Sequence, residues 1–212
     1  AIEAQRIDSP YRFLDYGQQV GVYVGRMGAE EGPLQIGPQP ATTLGARWAL
    51  RVSGPLSLGA EVGYTPTTRT VRDTVFVAAD SLFREVGEAN VRMLTVMGNL
   101  NFGITGPRTW YGLHPFIVLG AGVSVDIAGA DAIEADLPAA ARYERGTSFA
   151  GQFGGGVDWY PTQRVSVRVD ARNVLWRVRA PEAFRRTTAG AQLAEAEWTN
   201  NFALLAGLSF HF

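Results

Sequence analysis

The sequence predicts an all-β fold: an eight-stranded antiparallel up-and-down transmembrane β-barrel with a polar, side-chain-filled interior. Three observations carry that prediction. Apolar residues recur at every second position in eight segments, the period of a strand with two unlike faces. The opposite face of those segments is built from small residues and balanced charges. Short and long connections alternate between them, as in a meander whose closure removes both sheet edges.

In chain order, Val20, Val22 and Val24 alternate with Gln19, Gly21, Tyr23 and Gly25. Leu44, Ala46, Trp48, Leu50 and Val52 follow, and after the turn "SGPL" come Leu56, Leu58, Ala60, Val62 and Tyr64, a hairpin by spacing. The fourth segment carries Leu94, Val96, Leu100 and Phe102 against Thr95, Asn99 and Asn101. The fifth runs from Ile117 to Val125 against Gly120, Gly122, Ser124 and Asp126. Phe149, Phe153, Val157 and Trp159 mark the sixth, and Val165, Val167, Val169 and Ala171 the seventh. Phe202, Leu204, Ala206, Leu208, Phe210 and Phe212 mark the last, where the chain stops inside an alternating run.

The direction of the two faces follows from volume. An eight-stranded barrel has an interior just wide enough for its own side chains, and the large apolar residues of eight strands overfill it. The small and polar face fits that lumen, so the apolar face points to lipid. The inward face then holds Arg47, Arg51, Arg168 and Arg172 against Glu61, Asp126, Asp158 and Asp170. Four charges of each sign suit a buried ionic network, since an unpaired buried charge is very costly. Antiparallel counting across "SGPL" sets Arg47 opposite Glu61, which makes them the expected partners.

Connections near 53–56, 103–113 and 160–163 are short, and those near 27–41, 65–90, 127–147 and 177–198 are longer. Short periplasmic turns and long extracellular loops have this rhythm, which puts both termini on the periplasmic side. Trp110, Tyr111, Trp159, Tyr160, Phe210 and Phe212 form an aromatic girdle there, and Trp176 and Trp198 the outer one. Residues 1–15 read as a periplasmic leader ahead of a barrel domain at 16–212. Within the leader, Ser9–Pro10 is a helix-start signal, so 9–14 forms either a short periplasmic turn, with Tyr11, Phe13 and Leu14 covering the barrel mouth or touching a neighbour, or part of a disordered leader.

The ending "GLSFHF" resembles the C-terminal β-signal of bacterial outer-membrane proteins, with Gly207, Phe210 and the terminal Phe212 in place. Leu205 stands where that signal usually has a polar residue. "HPFIVLGAGVSV" and "FGGGVDWYPTQRVSVRVDARN" resemble the small OmpA/OmpX-like eight-stranded outer-membrane barrel superfamily. The resemblance implies a bacterial outer-membrane address, a signal peptide already removed and recognition by the barrel assembly machinery. It implies contact with outer-membrane lipid and lipopolysaccharide, and leaves room for other envelope proteins as partners.

The chain has no cysteine, which excludes thiol chemistry and disulfides. With 19 basic residues, all arginine, against 20 acidic ones it has no basic excess for nucleic acid. No metal, cofactor or catalytic site is expected. The two histidines, His114 and His211, fall at the periplasmic end, where strand counting gives neither a partner. The glycine run 154–156 sits inside a strand and opens no helix, so it is no phosphate loop. Among the outer connections, Asp126, Asp131, Glu134 and Asp136 lack the spacing of a calcium loop. Arg177, Arg179, Arg185 and Arg186 suit lipopolysaccharide phosphates, because the guanidinium fork matches phosphate geometry. The expected role is a non-enzymatic one: envelope anchoring or membership of an outer-membrane assembly, with contacts through extracellular loops. The alternative is a narrow channel or transporter for small or apolar solutes.

Overall fold

The computed structural model describes residues 9–32, 35–77, 80–129, 131–138, 142–143, 146–179, 181 and 196–212, with backbone alone over 74–77 and 80–83. The strands are β1 (Tyr11–Phe13), β2 (Gln18–Met27), β3 (Ala41–Ser53), β4 (Leu56–Val77), β5 (Asp80–Gly103), β6 (Arg108–Trp110), β7 (Leu113–Asp126), β8 (Thr147–Trp159), β9 (Val165–Arg179) and β10 (Ala196–His211). A single turn of helix, α1, spans Ala132–Ala135. Eight strands form the ring β2-β3-β4-β5-β7-β8-β9-β10, which closes where Phe210 pairs with Val20 and Ala203 with Met27. Every pair in the ring is antiparallel.

The two faces separate as the alternation requires. Val20, Val22, Leu44, Trp48, Leu58, Leu100, Ile117, Phe153, Val169, Leu204 and Leu208 are all exposed. A continuous apolar wall of this extent has no stable place in water and suits lipid. On β5 it runs from Leu94 to Phe102, about 20 Å of height for a tilted strand. Inside, Gly45 and Gly63 face the lumen, and a Cβ on either would meet the Tyr23 hydroxyl. They are the space into which that ring packs.

Two connections differ from expectation. The 65–90 segment is not a loop: β4 and β5 stay paired from Leu56↔Phe102 as far as Val77↔Asp80. Past Tyr64 this hairpin reaches about 40 Å along the strand. Its residues there, such as Thr65, Thr67, Thr68, Arg69 and Thr70, keep strand propensity while losing the apolar face. The 9–14 segment is neither a helical turn nor a disordered leader. β1 pairs with β6 inside the 103–113 connection, Tyr11 opposite Trp110 and Phe13 opposite Arg108. Leu14 N–H then bonds Pro107 O at 3.0 Å.

At the other rim, loops brace the hairpin. Gln39 N–H bonds Thr68 O at 2.9 Å, and Pro38 bridges to Arg69. Asp131 caps α1 and accepts from Asn90 N–H at 3.1 Å. Those backbone bonds, from Asn90 and then Ile133, hold its carboxyl below the usual range. Leu137 and Ile133 pack on Val71 and Ala89, while buried Glu134 pairs with Arg69. Asp131 and Glu134 therefore hold the loop on the hairpin.

Candidate functional site

Among the described residues charged groups converge in the lumen, and β9 supplies half of them. Its inward row places Arg168, Asp170 and Arg172 in succession, all nearly inaccessible. Asp170 accepts from three guanidinium groups: Arg172 Nε at 2.6 Å, Arg47 Nη1 at 3.1 Å and Arg168 Nε at 3.2 Å. Arg172 Nη1 also reaches across to Glu61, at 3.0 and 2.9 Å from its two oxygens. Arg168 lies 3.8 Å from Asp158. Asn99, Gln152 and Asn101 fill remaining positions, with Gln152 Nε2 donating to Asn99 Oδ1 at 2.6 Å and Arg168 Nη2 to Asn101 Oδ1 at 3.0 Å. Three arginines thus face three carboxylates, the balance a buried network needs.

Six of the eight charges expected in the lumen meet here; two do not. Arg51 sits at the short-turn mouth, donating to Leu14 O at 2.5 Å and lying 4.4 Å over the Tyr16 ring. Asp126 ends β7 at the hairpin rim, where it accepts from the backbone N–H of Arg92 and Ala128. Arg47 and Glu61 are register partners, yet each forms its ion pair across the lumen, with Asp170 and Arg172. Long guanidinium arms span a narrow lumen more easily than they bend onto the adjacent strand.

Toward the hairpin rim the interior changes character. Met27, Val91, Met93, Met97, Trp176, Val178, Ala203 and Leu205 form one buried apolar cluster with Tyr23, and Ile36 and Tyr143 close it from the loops. The charged groups cluster in the half nearer the short turns; around the apolar cluster the buried inward polar residues are neutral, such as Thr43, Thr65, Ser124 and Asn201. Inward apolar residues break the alternation on which a polar lumen was read: Leu204 and Leu205 are consecutive, one outside and one inside. Trp176 lies in this core at 0% exposure and not at a rim, whereas Trp198 is exposed.

The short-turn mouth is closed by aromatic rings. The Tyr16 hydroxyl is hydrogen-bonded to that of Tyr160, and burial pushes both phenols above their ordinary range. Tyr160 therefore leaves the aromatic girdle, which keeps the exposed Trp110, Tyr111, Trp159, Phe210 and Phe212. His211 has a partner that strand counting did not give it: Ser166 Oγ lies 2.8 Å from Nε2, because the β9–β10 register sets Ser166 opposite Ser209, one inward place away. His114 Nδ1 is 4.0 Å from Asp158. Ser166 and His211, at 0% and 1% exposure, are sealed from any substrate. The cavity left at this mouth, about 30 Å³ beside Tyr16, Arg51, His114, Asp158 and Arg168, has room for water.

Of the remaining expected residues, Gly207 faces inward against Tyr23, and Phe210 and Phe212 stack outward at 6.3 Å between ring centres. Arg177 and Arg179 are exposed on β9, while Arg185 and Arg186 lie outside the described residues.

A closed ring of eight antiparallel strands, apolar without and ionic in one half of its lumen, defines an eight-stranded transmembrane β-barrel. The chain is similar in fold to Neisserial surface protein A, with a TM-score of 0.55 at 12% identity over 92% of this chain and 97% of that one. It is likewise similar to the outer membrane protein OprG of Pseudomonas aeruginosa, with a TM-score of 0.56 at 13% identity over 97% and 99%. The likeness to the outer membrane enzyme PagL, at a TM-score of 0.49, is too loose to bear on chemistry. No family model matches the chain, and no curated protein matches it in sequence.

Proposed function

We propose that this chain is a non-enzymatic integral barrel of the bacterial outer membrane that works through its outer end, anchoring the envelope or joining an outer-membrane assembly. The hairpin end faces the exterior in this reading, and both termini face the periplasm. The observation that supports it most is the braced hairpin. β4 and β5 continue well beyond the apolar wall, and both neighbouring loops dock on them, which builds a rigid platform on a barrel whose lumen is filled. "GLSFHF" is then the signal read by the assembly machinery. Other envelope proteins are the partners this platform suits.

One observation favours the second reading, a narrow channel or transporter: the hairpin half of the lumen is apolar and rich in methionine, a surface that suits apolar solutes. The ionic layer beneath it blocks a straight path.

The absence of native cysteine makes orientation directly testable. Arg84→Cys in the hairpin should react with a membrane-impermeant maleimide on intact cells, and Thr162→Cys in a short turn only after lysis. Deleting 73–86 should leave a folded barrel that no longer cross-links to its envelope partner. Labelling of Thr162→Cys on intact cells, or cross-linking unchanged by the deletion, would contradict the proposal.

A further inference from the structure

In the ring every strand is paired on both sides, whereas β1 has a strand on one side only among the described residues. Tyr111 N–H donates to Pro10 O at 2.9 Å and Leu14 N–H to Pro107 O at 3.0 Å, which turns the backbone groups of Pro10, Arg12 and Leu14 toward β6. Alternation along the ladder then points the C=O of Tyr11 and both backbone groups of Phe13 the other way, to an edge with no partner strand. The side chains along that edge are exposed as well, Tyr11 at 50% and Phe13 at 61%, and Trp110 opposite Tyr11 at 49%. Arg108, opposite Phe13, lies over its ring at 4.4 Å.

Hydrocarbon does not suit this edge, because unpaired backbone groups have no place in it. A second copy does not suit it either. An antiparallel pair that overlaps all of β1 with its copy puts Arg12 opposite Arg12, and like charges directly opposite are destabilising. An extended peptide does suit it, since its own backbone supplies the missing donors and acceptors. The charge of that peptide follows from the surroundings. In the leader and the short turns the described residues carry Arg12, Arg108 and Arg164 against Asp15 alone, with Arg51 at the mouth beside them. Carboxylate is the group that guanidinium forks match.

We infer that the free edge of β1 is a docking strand for an extended acidic segment of another envelope protein, which adds to the sheet through Tyr11 and Phe13 and sets its carboxylates against Arg12 and Arg108. The inference rests on the orientation proposed above, which turns the short-turn end to the periplasm and so makes the partner a periplasmic one. Three residues of ladder give few hydrogen bonds, so selectivity lies in the side chains, and aromatic anchors with arginine are the groups that dominate binding at protein surfaces. The barrel then has a contact at each end, the hairpin outside and β1 in the periplasm.

The test uses the full barrel refolded in detergent, with two fluorescent seven-residue peptides as probes. One alternates glutamate with valine or phenylalanine; the other has lysine in place of glutamate. Anisotropy, corrected for protein-free detergent, should show the glutamate peptide bound about tenfold more tightly than the lysine one. Arg12→Gln/Arg108→Gln should bring the two together. Phe13→Pro removes the N–H on the free edge and leaves the bonds to β6 in place, so it should weaken binding about fivefold beyond Phe13→Ala, which removes the ring alone. Amide exchange at Leu14 reports whether β1 stays on β6, and heat-modifiable gel migration whether each barrel is folded. If Phe13→Pro releases β1, the double arginine variant and the lysine peptide decide. Equal binding of both peptides by the wild type, or binding of neither, overturns the inference. So does a Phe13→Pro barrel that binds as Phe13→Ala does while Leu14 stays protected. A wild-type dimer in analytical ultracentrifugation that Phe13→Pro dissolves would give the edge to a second copy and overturn it too. Failure of the orientation is separate, because cysteine labelling reads it without any peptide.

Discussion

Along the inward row of β9, Arg168, Asp170 and Arg172 are followed at the same two-residue step by Val174, Trp176 and Val178. Within a single strand the lumen passes from an ionic layer to an apolar one. Both halves are filled, and they are filled by different physics. The ionic half depends on each charge keeping a partner, so its cost is concentrated in single residues. The apolar half depends on volume, so it accepts substitutions that conserve size and resists those that leave a void. A small barrel so divided can be broken in two distinguishable ways.

The largest effect should come from Asp170→Ala, which strips three guanidinium groups of a shared acceptor. Loss of at least 3–5 kcal/mol, roughly the scale for orphaning a buried charge, is expected in urea unfolding of the refolded barrel. Trp176→Ala should cost about 4 kcal/mol through its cavity, yet Trp176→Phe much less, about 1.5 kcal/mol or below. No such graded rescue is expected at Asp170, where Asp170→Asn keeps the volume and loses the charge. Equal rescue at both positions would erase the distinction between the layers.

The pairing inside the ionic layer gives a finer test. Glu61→Ala alone is destabilising because Arg172 keeps its charge; adding Arg172→Ala should recover about 1–3 kcal/mol as coupling energy. The corresponding cycle of Glu61 with Arg47 should show weaker coupling, since Arg47 pairs with Asp170. The smallest effect lies outside the lumen, at the cap Asp131. Asp131→Asn should cost less than any of the lumen changes, because asparagine caps a helix about as well as aspartate. Because the folded-state carboxyl is held low, its contribution is present at neutral pH and lost as pH falls through that lowered value. Amide exchange at Asn90 and Ile133, followed from neutral to acid pH, reads this directly.

How far the sequence carried the structure depends on which force set each feature. The ring strands were legible because lipid demands an unbroken apolar face, and that demand writes period two into Leu44–Val52 or Phe202–Phe212. The β3–β4 register was legible through the tight turn at 53–56, and Arg47 does stand opposite Glu61. What crosses the lumen was not legible. Register names the neighbour on the ladder and says nothing of which long side chain reaches the far wall, so Glu61–Arg172 lay hidden. The apolar layer was hidden for a related reason: Met93, Met97 and Leu205 are inward residues in rows read as polar. The extended hairpin escaped because beyond the apolar wall neither face of "TPTTRTVRD" is a continuous apolar row, and alternation disappears while the strand goes on.

Two layers of side chains fill this lumen, and the proposed role depends on their keeping it closed. Planar-bilayer recording of the refolded wild-type barrel tests it most directly. The account predicts a silent membrane for the wild type. Steady, reproducible ionic openings by the unmodified protein would contradict it and establish the channel in its place.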